Sequence, residues 1–282
     1  MADDILTNRI GLIGDPVEHS LSPSFQQPAF DALGLSIRYE LWQASLDELP
    51  ARLDDIRTGR ALGANVTVPH KEAAFALMDS VSDAARRAGA VNTVSLQDGR
   101  LVGDNTDVHG FIVPLRERGF DFVASRAVIL GAGGAARGIA VALLDAGIAG
   151  LAIVNRTRQR AEDISAALSD PRITVGELDA LSTHASGANL LINATALGWD
   201  DDAFPFISDT FARLTPGATV YDLTYRDTPF LSAARSAGLT AIDGLAMLVH
   251  QGAKSFEIWT GQPAPVELMW RSAVAARAER SG

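Results

Sequence analysis

The chain has 282 residues, of which 47% are hydrophobic and 21% are charged, a composition typical of a folded globular protein. Its formal net charge of -10 argues against a sequence-independent nucleic-acid binder, because such proteins need a basic surface. The absence of cysteine excludes disulfides, thiol nucleophiles and cysteine-ligated metals. We expect a cytoplasmic protein without membrane association, because the acidic start Met1-Ala2-Asp3-Asp4 is unlike a signal peptide and no apolar run could span a bilayer.

Strands and helices alternate through the first hundred residues, which favours an α/β fold with a mostly parallel sheet. Ser22-Pro23 predicts a helix start, with Ser22 as the cap and Pro23 at the first helical position. The helix it starts should end near Leu33. The pattern predicts strands over 9–13, 37–42, 64–68, 91–96 and 100–102, and further helices over 47–57, 71–78 and 83–88.

A second alternating series begins near residue 126. The continuous apolar run 127–130 predicts a strand buried on both faces. A glycine-rich break and a helix over 135–144 follow it, so the boundary between two domains should lie around 107–110. Further strands are predicted over 151–154, 190–192 and 220–223, with two C-terminal helices that separate at 261–263.

The run Asn65-Val66-Thr67-Val68-Pro69-His70-Lys71 combines a strand pattern with polar side chains. Asn65 and Thr67 alternate with valines, and Pro69 should end the strand because it cannot donate to a sheet. Lys71 then lies just past a strand end, where ligands commonly bind in open α/β sheets. The same run is compatible with an edge strand followed by a solvated lysine.

Gly131-Ala132-Gly133-Gly134-Ala135-Ala136 fits the dinucleotide-binding pattern G-x-G-x-x-G/A. Gly131 would allow the tight turn, Gly133 would let a pyrophosphate approach the backbone, and Ala136 would allow close helix packing. The amides that open the next helix attract phosphate. The alternative interpretation is merely a tight strand-to-helix turn.

The residues after the next strand indicate which dinucleotide is bound. NAD-binding folds usually carry Asp or Glu there, whereas this chain has Asn155-Arg156-Thr157, followed by Arg158 and Arg160. A guanidinium can bind a 2′-phosphate through two hydrogen bonds, so we expect NADP(H). Alternatively, Thr157 only caps the next helix and Arg158 is solvated.

Other polar residues are candidates for a site or for local structure. The segment Gly103-Asp104-Asn105-Thr106-Asp107 lies at the expected junction, where one of its aspartates could be a helix cap. Ser20 lies near the end of the first strand, and Asn92 lies in an apolar strand and so needs a partner. Gln251 could be on the surface or in a site. The five histidines lack metal-ligand spacing and Gly-x-Ser-x-Gly is absent, so metal and serine-hydrolase sites are not expected.

Taken together, these segments resemble the shikimate dehydrogenase family over nearly the whole chain. No single motif is specific, but their order is. The motifs that carry the resemblance are His19 to Pro23, Asn65 to Lys71, Gly89 to Thr93, Gly103 to Asp107, Gly131 to Ala135, Asn155 to Thr157, Asn193 to Thr195, Asp222 to Tyr225 and Asp243 to Gln251.

The resemblance implies an N-terminal mixed α/β substrate domain, a Rossmann-type NADP domain and a cleft between them. The substrate domain would comprise residues 1–106 and 245–282, and the NADP domain residues 107–244. The implied reaction interconverts shikimate and NADP with 3-dehydroshikimate and NADPH in aromatic amino-acid biosynthesis. The implied partners are therefore small molecules, and the chain would act as a monomer or a homodimer.

The resemblance also assigns roles to individual residues. Lys71 would carry the proton, and Asp107 would favour the charged lysine and orient a substrate hydroxyl. Asn65 would bind substrate directly or only support the backbone of the pocket. Ser20, Ser22 and Tyr225 would bind the substrate carboxylate, and Thr67, Asn92, Asp107 and Gln251 its hydroxyls. The cofactor would contact Asp83, Gly131, Ala132, Gly133, Gly134, Ala135, Asn155, Arg156, Thr157, Arg160, Thr195, Leu223, Gly244 and Met247.

One segment departs from the family pattern, and three other functions remain open. Ala196-Leu197-Gly198-Trp199 stands where a serine or proline and a methionine are expected, which puts a local cofactor contact in doubt. The nearest rival function is an NAD-using quinate/shikimate dehydrogenase. A methylene-tetrahydrofolate dehydrogenase fits the serines and the Asn65 to Lys71 run poorly, and a non-catalytic NADP-binding regulator would be free to lose Lys71 and Asp107.

Overall fold

The computed structural model describes residues 8–195, 197 and 207–281, with Ser281 described by its backbone alone. The chain divides into two compact units, Met1–Phe111 with Leu248–Gly282 and Ile112–Met247. Both boundaries fall within helices. The domain limits at 106/107 and 244/245 remain a prediction. Residues 196 and 198–206 lie outside the described residues. Of Ala196 to Trp199, the segment that departs from the family pattern, only Leu197 is described.

The first unit is built on a six-stranded mixed sheet of order β2-β1-β3-β5-β6-β4. Strands β2, β1 and β3 run parallel, as do β6 and β4, whereas β5 is antiparallel to both β3 and β6. Its strands are β1 (Arg9–Gly14), β2 (Arg38–Gln43), β3 (Gly63–Val66), β4 (Ser80–Val81), β5 (Thr93–Gln97) and β6 (Arg100–Asp104).

Helices surround this sheet and come from both parts of the chain that form the unit. The helices from the first part of the chain are α1 (Ser22–Ala32), α2 (Leu49–Arg57), α3 (Lys71–Ala76), α4 (Asp83–Ala88) and α5 (Asp107–Glu117), which continues into the second unit. Two more helices, Leu245–Thr260 and Val266–Ser281, come from the C-terminal part of the chain. The helix predicted from Asp47 begins at Leu49 instead, and Leu46–Glu48 forms a short 3-10 turn before it.

The third strand is central in the sheet, so the alternative of an edge strand is wrong. All four residues of β3 are buried, between β1 and β5. The predicted strand continued to Val68, but the regular pairing ends at Val66 and residue Val68 is 69% exposed. Lys71 is the first residue of α3 rather than part of a solvated loop.

The predicted capping role of Ser22 is also wrong. Leu21 is the N-cap of α1, it makes no side-chain capping bond, and Ser22 is the first helical residue. The Ser22 amide instead donates to Ser20 Oγ at 3.1 Å. The hydroxyls of the two serines are 3.2 Å apart.

The second unit contains an entirely parallel six-stranded sheet of order β12-β11-β10-β7-β8-β9, as in Rossmann-type folds. Its strands are β7 (Arg126–Leu130), β8 (Gly150–Val154), β9 (Ile173–Gly176), β10 (Leu190–Asn193), β11 (Thr219–Asp222) and β12 (Thr240–Ile242). The described helices are α6 (Gly134–Asp145), α7 (Arg158–Leu168), α8 (Leu181–Ala185), α9 (Ile207–Arg213) and α10 (Pro229–Ser236), and α11 (Leu245–Thr260) and α12 (Val266–Ser281) complete the chain.

Buried apolar residues on both faces explain why this sheet is parallel and covered by helices. Residues of β7, β8, β10 and β11 form one cluster with Phe211, Phe230 and Leu231. The short strands β9 and β12 were not predicted, because they lie at the two edges of the sheet and lack a continuous apolar run. In the described part of the chain, no helix has the length and apolar character needed to cross a membrane.

Gly63 provides a test of the packing around β3. A Cβ at this position would lie 2.5 Å from both Trp259 Nε1 and the Val94 carbonyl oxygen, which are hydrogen-bonded to each other at 3.0 Å. We therefore expect Gly63→Ala to lower the free energy of unfolding by about 1–3 kcal/mol, as overpacking does. Urea unfolding followed by tryptophan fluorescence and circular dichroism measures the change.

The matched control is Gly150→Ala, at the first position of another strand. Its added Cβ would meet only the Arg126 side chain, at 3.5 Å, an ordinary contact. We expect this variant to be unchanged or stabilised by up to about 1 kcal/mol. Equal unfolding transitions for the two variants would contradict the packing described around β3.

Candidate active site

Lys71, Asp107 and Asn92 form a hydrogen-bonded group in the first unit. Lys71 Nζ lies 2.6 Å from Asp107 Oδ2, and Asn92 Nδ2 donates to Asp107 Oδ1 at 2.9 Å. The Lys71 and Asp107 side chains are 19% and 10% exposed, so the ion pair is largely shielded but still reachable. A charge-assisted bond of this kind fixes the position of the ammonium.

The sheet explains why residues distant in sequence meet here. The C-terminal ends of β3 and β6 lie beside the N-terminal end of β5, because β5 runs antiparallel to both of these neighbours. Lys71 opens the helix that follows β3, Asp107 opens the helix that follows β6, and Asn92 immediately precedes β5. Three strand ends thus deliver the three side chains to one place.

A second, deeper layer of polar side chains supports this group. Asn65 is 4% exposed, and its Oδ1 accepts from the Tyr39 hydroxyl at 2.7 Å. Its Nδ2 lies within 3.2 Å of the Asn92 carbonyl oxygen, Thr93 Oγ1 and Ser255 Oγ. Protein groups therefore engage both ends of the Asn65 amide, which favours its role as a support of the pocket.

Three of these supporting residues, Tyr39, Thr93 and Ser255, were not identified from the sequence. Burial raises the pKa of the Tyr39 hydroxyl, and a hydrogen bond with Ser22 partly opposes that increase. Ser255 is fully buried and bonds to Thr93 and Thr106. Ser255 lies four residues after Gln251, on the same face of α11, and this spacing was the one available signal.

The remaining predicted substrate residues of the first unit lie after β1, after β3 and on α11. Gln251 Oε1 lies 3.3 Å from Asn92 Nδ2, and its Nε2 donates to the Leu248 carbonyl. Thr67 is half-buried just after β3, and its methyl group fills the space where a Cβ on Gly14 would stand. Ser20 is half-buried and Ser22 is buried.

Tyr225 belongs to the second unit, between β11 and α10.

The glycine-rich loop of the second unit has the geometry that a pyrophosphate needs. Gly131 has a φ of +114°, and a Cβ there would lie 2.9 Å from the Ala194 carbonyl oxygen. Gly133 is the N-cap of α6 without a side-chain cap, and a Cβ on it would meet no atom within 4 Å. Space and free amides are therefore both available at the start of α6. Gly134 and Ala135 are the first two residues of this helix, and Ala132 precedes its N-cap.

The segment after β8 is the one predicted to bind the 2′-phosphate of NADP. Asn155 Nδ2 donates to the Thr157 carbonyl, which closes the turn that presents Arg156. The side chains of Arg156 and Arg160 are exposed and have no hydrogen bond or ion pair with any residue that the structure describes. Arg158 instead pairs with Glu162 at 2.8 Å, and Thr157 occupies the N-cap of α7 without a side-chain capping bond.

A buried carboxyl organises the backbone that follows β11. Asp222 is fully buried at the end of β11, where it accepts from the Thr224 amide and the Thr228 hydroxyl. Asn193 donates to Asp222 at 3.4 Å and accepts from Thr195 Oγ1 at 2.6 Å. Burial raises the pKa of Asp222, while these hydrogen bonds partly oppose the increase.

Close backbone contact also requires a glycine after β12. The Gly244 amide donates to the Thr224 carbonyl at 2.8 Å, and a Cβ on Gly244 would overlap the Leu223 carbonyl oxygen. Met247 is buried at the start of α11. Asp83, another predicted cofactor residue, lies in the first unit and has a side chain that is 99% exposed.

The raised pKa of Asp222 predicts a pH effect on stability. Between its unfolded value, near 3.8, and its raised folded value, the folded state holds a proton that the unfolded state has released. The stability that Asp222 contributes is therefore fully present at low pH and is lost as pH rises through the folded pKa. Asp222→Asn lacks this titration, so wild type should lose stability relative to the variant as pH rises.

Melting temperatures of wild type and Asp222→Asn between pH 4 and 8 measure the effect. A matched variant at an exposed carboxyl, Asp163→Asn, should show no such trend with pH. A constant difference between wild type and Asp222→Asn across this range would contradict the raised pKa.

Family models match segments of both units. Residues 12–94 match the shikimate dehydrogenase substrate binding domain, residues 115–198 match the family described as shikimate / quinate 5-dehydrogenase, and residues 244–273 match the shikimate 5'-dehydrogenase C-terminal domain. These matches include Lys71, the glycine-rich loop and Gln251.

Individual relatives cover nearly the full chain. The Moorella thermoacetica shikimate dehydrogenase (NADP(+)) is 44% identical over 285 residues, which cover 98% of this chain and 96% of the relative. The crystal structure of shikimate 5-dehydrogenase from Thermus thermophilus in complex with NADP(H) and shikimate has a TM-score of 0.83 at 39% identity, covering 95% and 99% of the two chains. The 5-ketofructose reductase of Gluconobacter sp. strain CHM43 has a TM-score of 0.82 at 32% identity and covers 95% and 98%. The chain belongs to the shikimate dehydrogenase family.

Proposed function

We propose that this chain interconverts shikimate and NADP with 3-dehydroshikimate and NADPH. The observation that carries the proposal is the shielded Lys71–Asp107 pair held by Asn92, in a chain of this family. Such a pair provides a positioned proton donor and acceptor near the carboxyl ends of strands, where ligands bind in α/β folds.

Lys71 is the proposed proton carrier. Bound NADP supplies the acceptor for the hydride that leaves the substrate carbon. In the reduction direction the Lys71 ammonium donates a proton to the substrate oxygen, and in the oxidation direction the neutral Lys71 amine accepts the proton of the substrate hydroxyl. Its positive charge also stabilises the negative charge that develops on the substrate oxygen, which combines acid–base and electrostatic catalysis.

Asp107 is the proposed orienting group for Lys71 and for a substrate hydroxyl. One oxygen accepts from Lys71 at 2.6 Å and the other from Asn92 at 2.9 Å. A carboxylate has about four lone-pair positions, so both oxygens retain acceptor capacity for a substrate hydroxyl. Thr67, Asn92 and Gln251 complete the proposed hydroxyl ligands.

The proposed carboxylate ligands are the hydroxyls of Ser20, Ser22 and Tyr225. Asn65 supports the site rather than binding substrate, because its amide is already engaged by four protein groups. A site built from hydroxyl-binding groups discriminates strongly against analogues that lack a hydroxyl. The preference for shikimate should therefore depend on its several hydroxyls.

The proposed cofactor site combines the phosphate loop, Arg156 and Arg160. Thr195, Leu223, Gly244 and Met247 would border the nicotinamide part, and Asp83 remains a proposed contact. The cytoplasmic location, the absence of nucleic-acid partners and the assembly as a monomer or homodimer remain predictions from the sequence.

The second candidate function is a dehydrogenase with relaxed substrate choice. A middle portion of the chain matches a family described as shikimate / quinate 5-dehydrogenase, which favours a test with quinate. The deciding experiment follows NAD(P)H formation with shikimate and with quinate, each with NADP and with NAD. We expect shikimate with NADP to give by far the highest kcat/KM. No turnover of shikimate would refute the proposal, whereas preferred use of quinate would favour the second candidate.

Removal of the Lys71 amine tests the proton carrier. We expect Lys71→Ala to fold and to bind NADPH, but to lose kcat by roughly 10²–10⁴-fold, the usual contribution of acid–base catalysis. Initial rates of NADPH formation give kcat, and fluorescence titration gives the NADPH affinity. The matched control is Lys254→Ala, the other lysine of the sequence, which pairs with Glu257 at 3.3 Å. Near-normal turnover of Lys71→Ala would refute the role.

Arg156 tests the choice of NADP over NAD. A charge-assisted hydrogen bond contributes about 1.5–3 kcal/mol, or roughly one to two decades of affinity. We expect Arg156→Ala to weaken NADPH by that factor and to leave NADH nearly unchanged, as measured by fluorescence titration. Arg158→Ala is the control, because Arg158 is already paired with Glu162. Equal weakening of NADPH and NADH in Arg156→Ala would show that Arg156 does not recognise the 2′-phosphate.

A further inference from the structure

Arg280 connects the last turn of α12 to the segment that carries the two serines. Its Nη1 donates to the His19 carbonyl at 2.6 Å, and its Nη2 donates to the Ser20 carbonyl at 3.1 Å. One guanidinium thus binds two consecutive carbonyls, a geometry that suits its rigid fork of donors. These two hydrogen bonds join residues that are 261 and 260 positions apart in the chain.

The backbone amides of this turn are fixed locally, while the Ser22 side chain hydrogen-bonds Tyr39 of β2. The Ser20 amide donates to the Val17 carbonyl at 2.9 Å, and the Ser22 amide donates to Ser20 Oγ at 3.1 Å. These bonds set the spacing of the two hydroxyls. They do not tie the turn to another element, whereas Arg280 joins it to α12, which packs along α1.

The charge of Arg280 is also available to the turn. Within the part of the chain that the structure describes, Arg280 forms no ion pair, and its Nη1 and Nη2 both donate to neutral carbonyls. The nearest acidic residue on the turn, Glu18, lies 3.7 Å from His19 Nε2. The proposed carboxylate ligands Ser20 and Ser22 are neutral hydroxyls, so Arg280 supplies a nearby positive charge to this side of the substrate site.

We propose that Arg280 is a positioning residue that sets the affinity for the substrate carboxylate. It acts through the carbonyls of His19 and Ser20, which it holds so that the Ser20 and Ser22 hydroxyls face one anionic group together. The proposal rests on the proposed function, because it takes those serines as carboxylate ligands. It assigns a role in substrate selection to the last turn of the C-terminal helix.

The test compares kinetic constants of Arg280→Gln with those of wild type. Glutamine removes the charge and the fork, and the residue is exposed, so the fold should be retained. We expect the KM for shikimate to rise about 3–10-fold, the KM for NADP to be unchanged and kcat to stay within about twofold. Arg280→Lys keeps the charge and should show a smaller rise in KM, and melting temperatures report whether both variants are folded.

The uncharged substrate shikimate methyl ester separates the carboxylate from the rest of the molecule. The preference of kcat/KM for shikimate over the ester should fall in Arg280→Gln by about the same factor as KM rises. Arg271→Gln is the matched control, an exposed arginine on the same helix, about 13 Å along its axis from Arg280. This control should behave as wild type does.

The outcomes distinguish this proposal from the function on which it rests. Wild type without shikimate turnover would refute the proposed function itself. An active wild type with an unchanged KM in Arg280→Gln would overturn only the role of Arg280. An equal loss of kcat/KM for shikimate and its ester would overturn it as well, because the effect would then not involve the carboxylate.

Discussion

The arrangement of polar groups in the first unit depends on the side-chain amide of Asn92. It is 2% exposed, its Oδ1 accepts from the Thr106 amide at 2.8 Å, and its Nδ2 donates to Asp107 at 2.9 Å. If this amide turned away, the Thr106 amide and Asp107 Oδ1 would both lose a partner. A buried polar group without a partner costs about 1–3 kcal/mol. Asp107 is therefore held in place, and Lys71 has a partner at a fixed position. Held in this way, the proposed proton carrier needs little reorganisation when substrate binds.

The second unit solves a different problem, because it must bring backbone close to a bulky anionic ligand. Gly131 and Gly244 lie where a Cβ would overlap or crowd a neighbouring carbonyl oxygen. Buried Asp222 accepts hydrogen bonds from the segment that follows it, and Asn193 connects Asp222 with Thr195. Side chains thus fix the geometry of the first unit's site, whereas glycines and one buried carboxyl fix the backbone in the second.

The sequence predicted most strands and helices, because the apolar periodicity of strands such as β7 and β8 is strong. It also singled out as candidates Lys71 and Asn92, which lie just past and within predicted strands, and Asp107, which lies in a polar segment at the expected domain junction. It did not predict the role of Ser22 within α1, because the preceding Leu21 takes the N-cap position and the serine hydroxyls bond each other instead. The strand that leads to Lys71 was predicted two residues too long, because alternation alone does not show where pairing to β1 and β5 ends.

Contacts between distant segments were the part that no local pattern could supply. Ser255 reaches Asn65 across 190 residues, and Arg280 reaches His19 across 261. Neither Ser255 nor Arg280 belongs to a motif, and each becomes visible only when the C-terminal helices are packed against the first unit. Residues that support a site are in general harder to predict than those that carry its chemistry, because buried hydroxyls and exposed arginines are common for many reasons.

The most direct test of this account is a crystal structure of the chain with shikimate and NADP bound. We expect Lys71 Nζ to lie about 3 Å from the substrate hydroxyl that is oxidised, while Asp107 keeps its hydrogen bond to Asn92. The two serine hydroxyls should contact the carboxylate at the other end of the substrate. A bound shikimate whose reacting hydroxyl lies away from Lys71, or an Asp107 that has released Asn92, would contradict it.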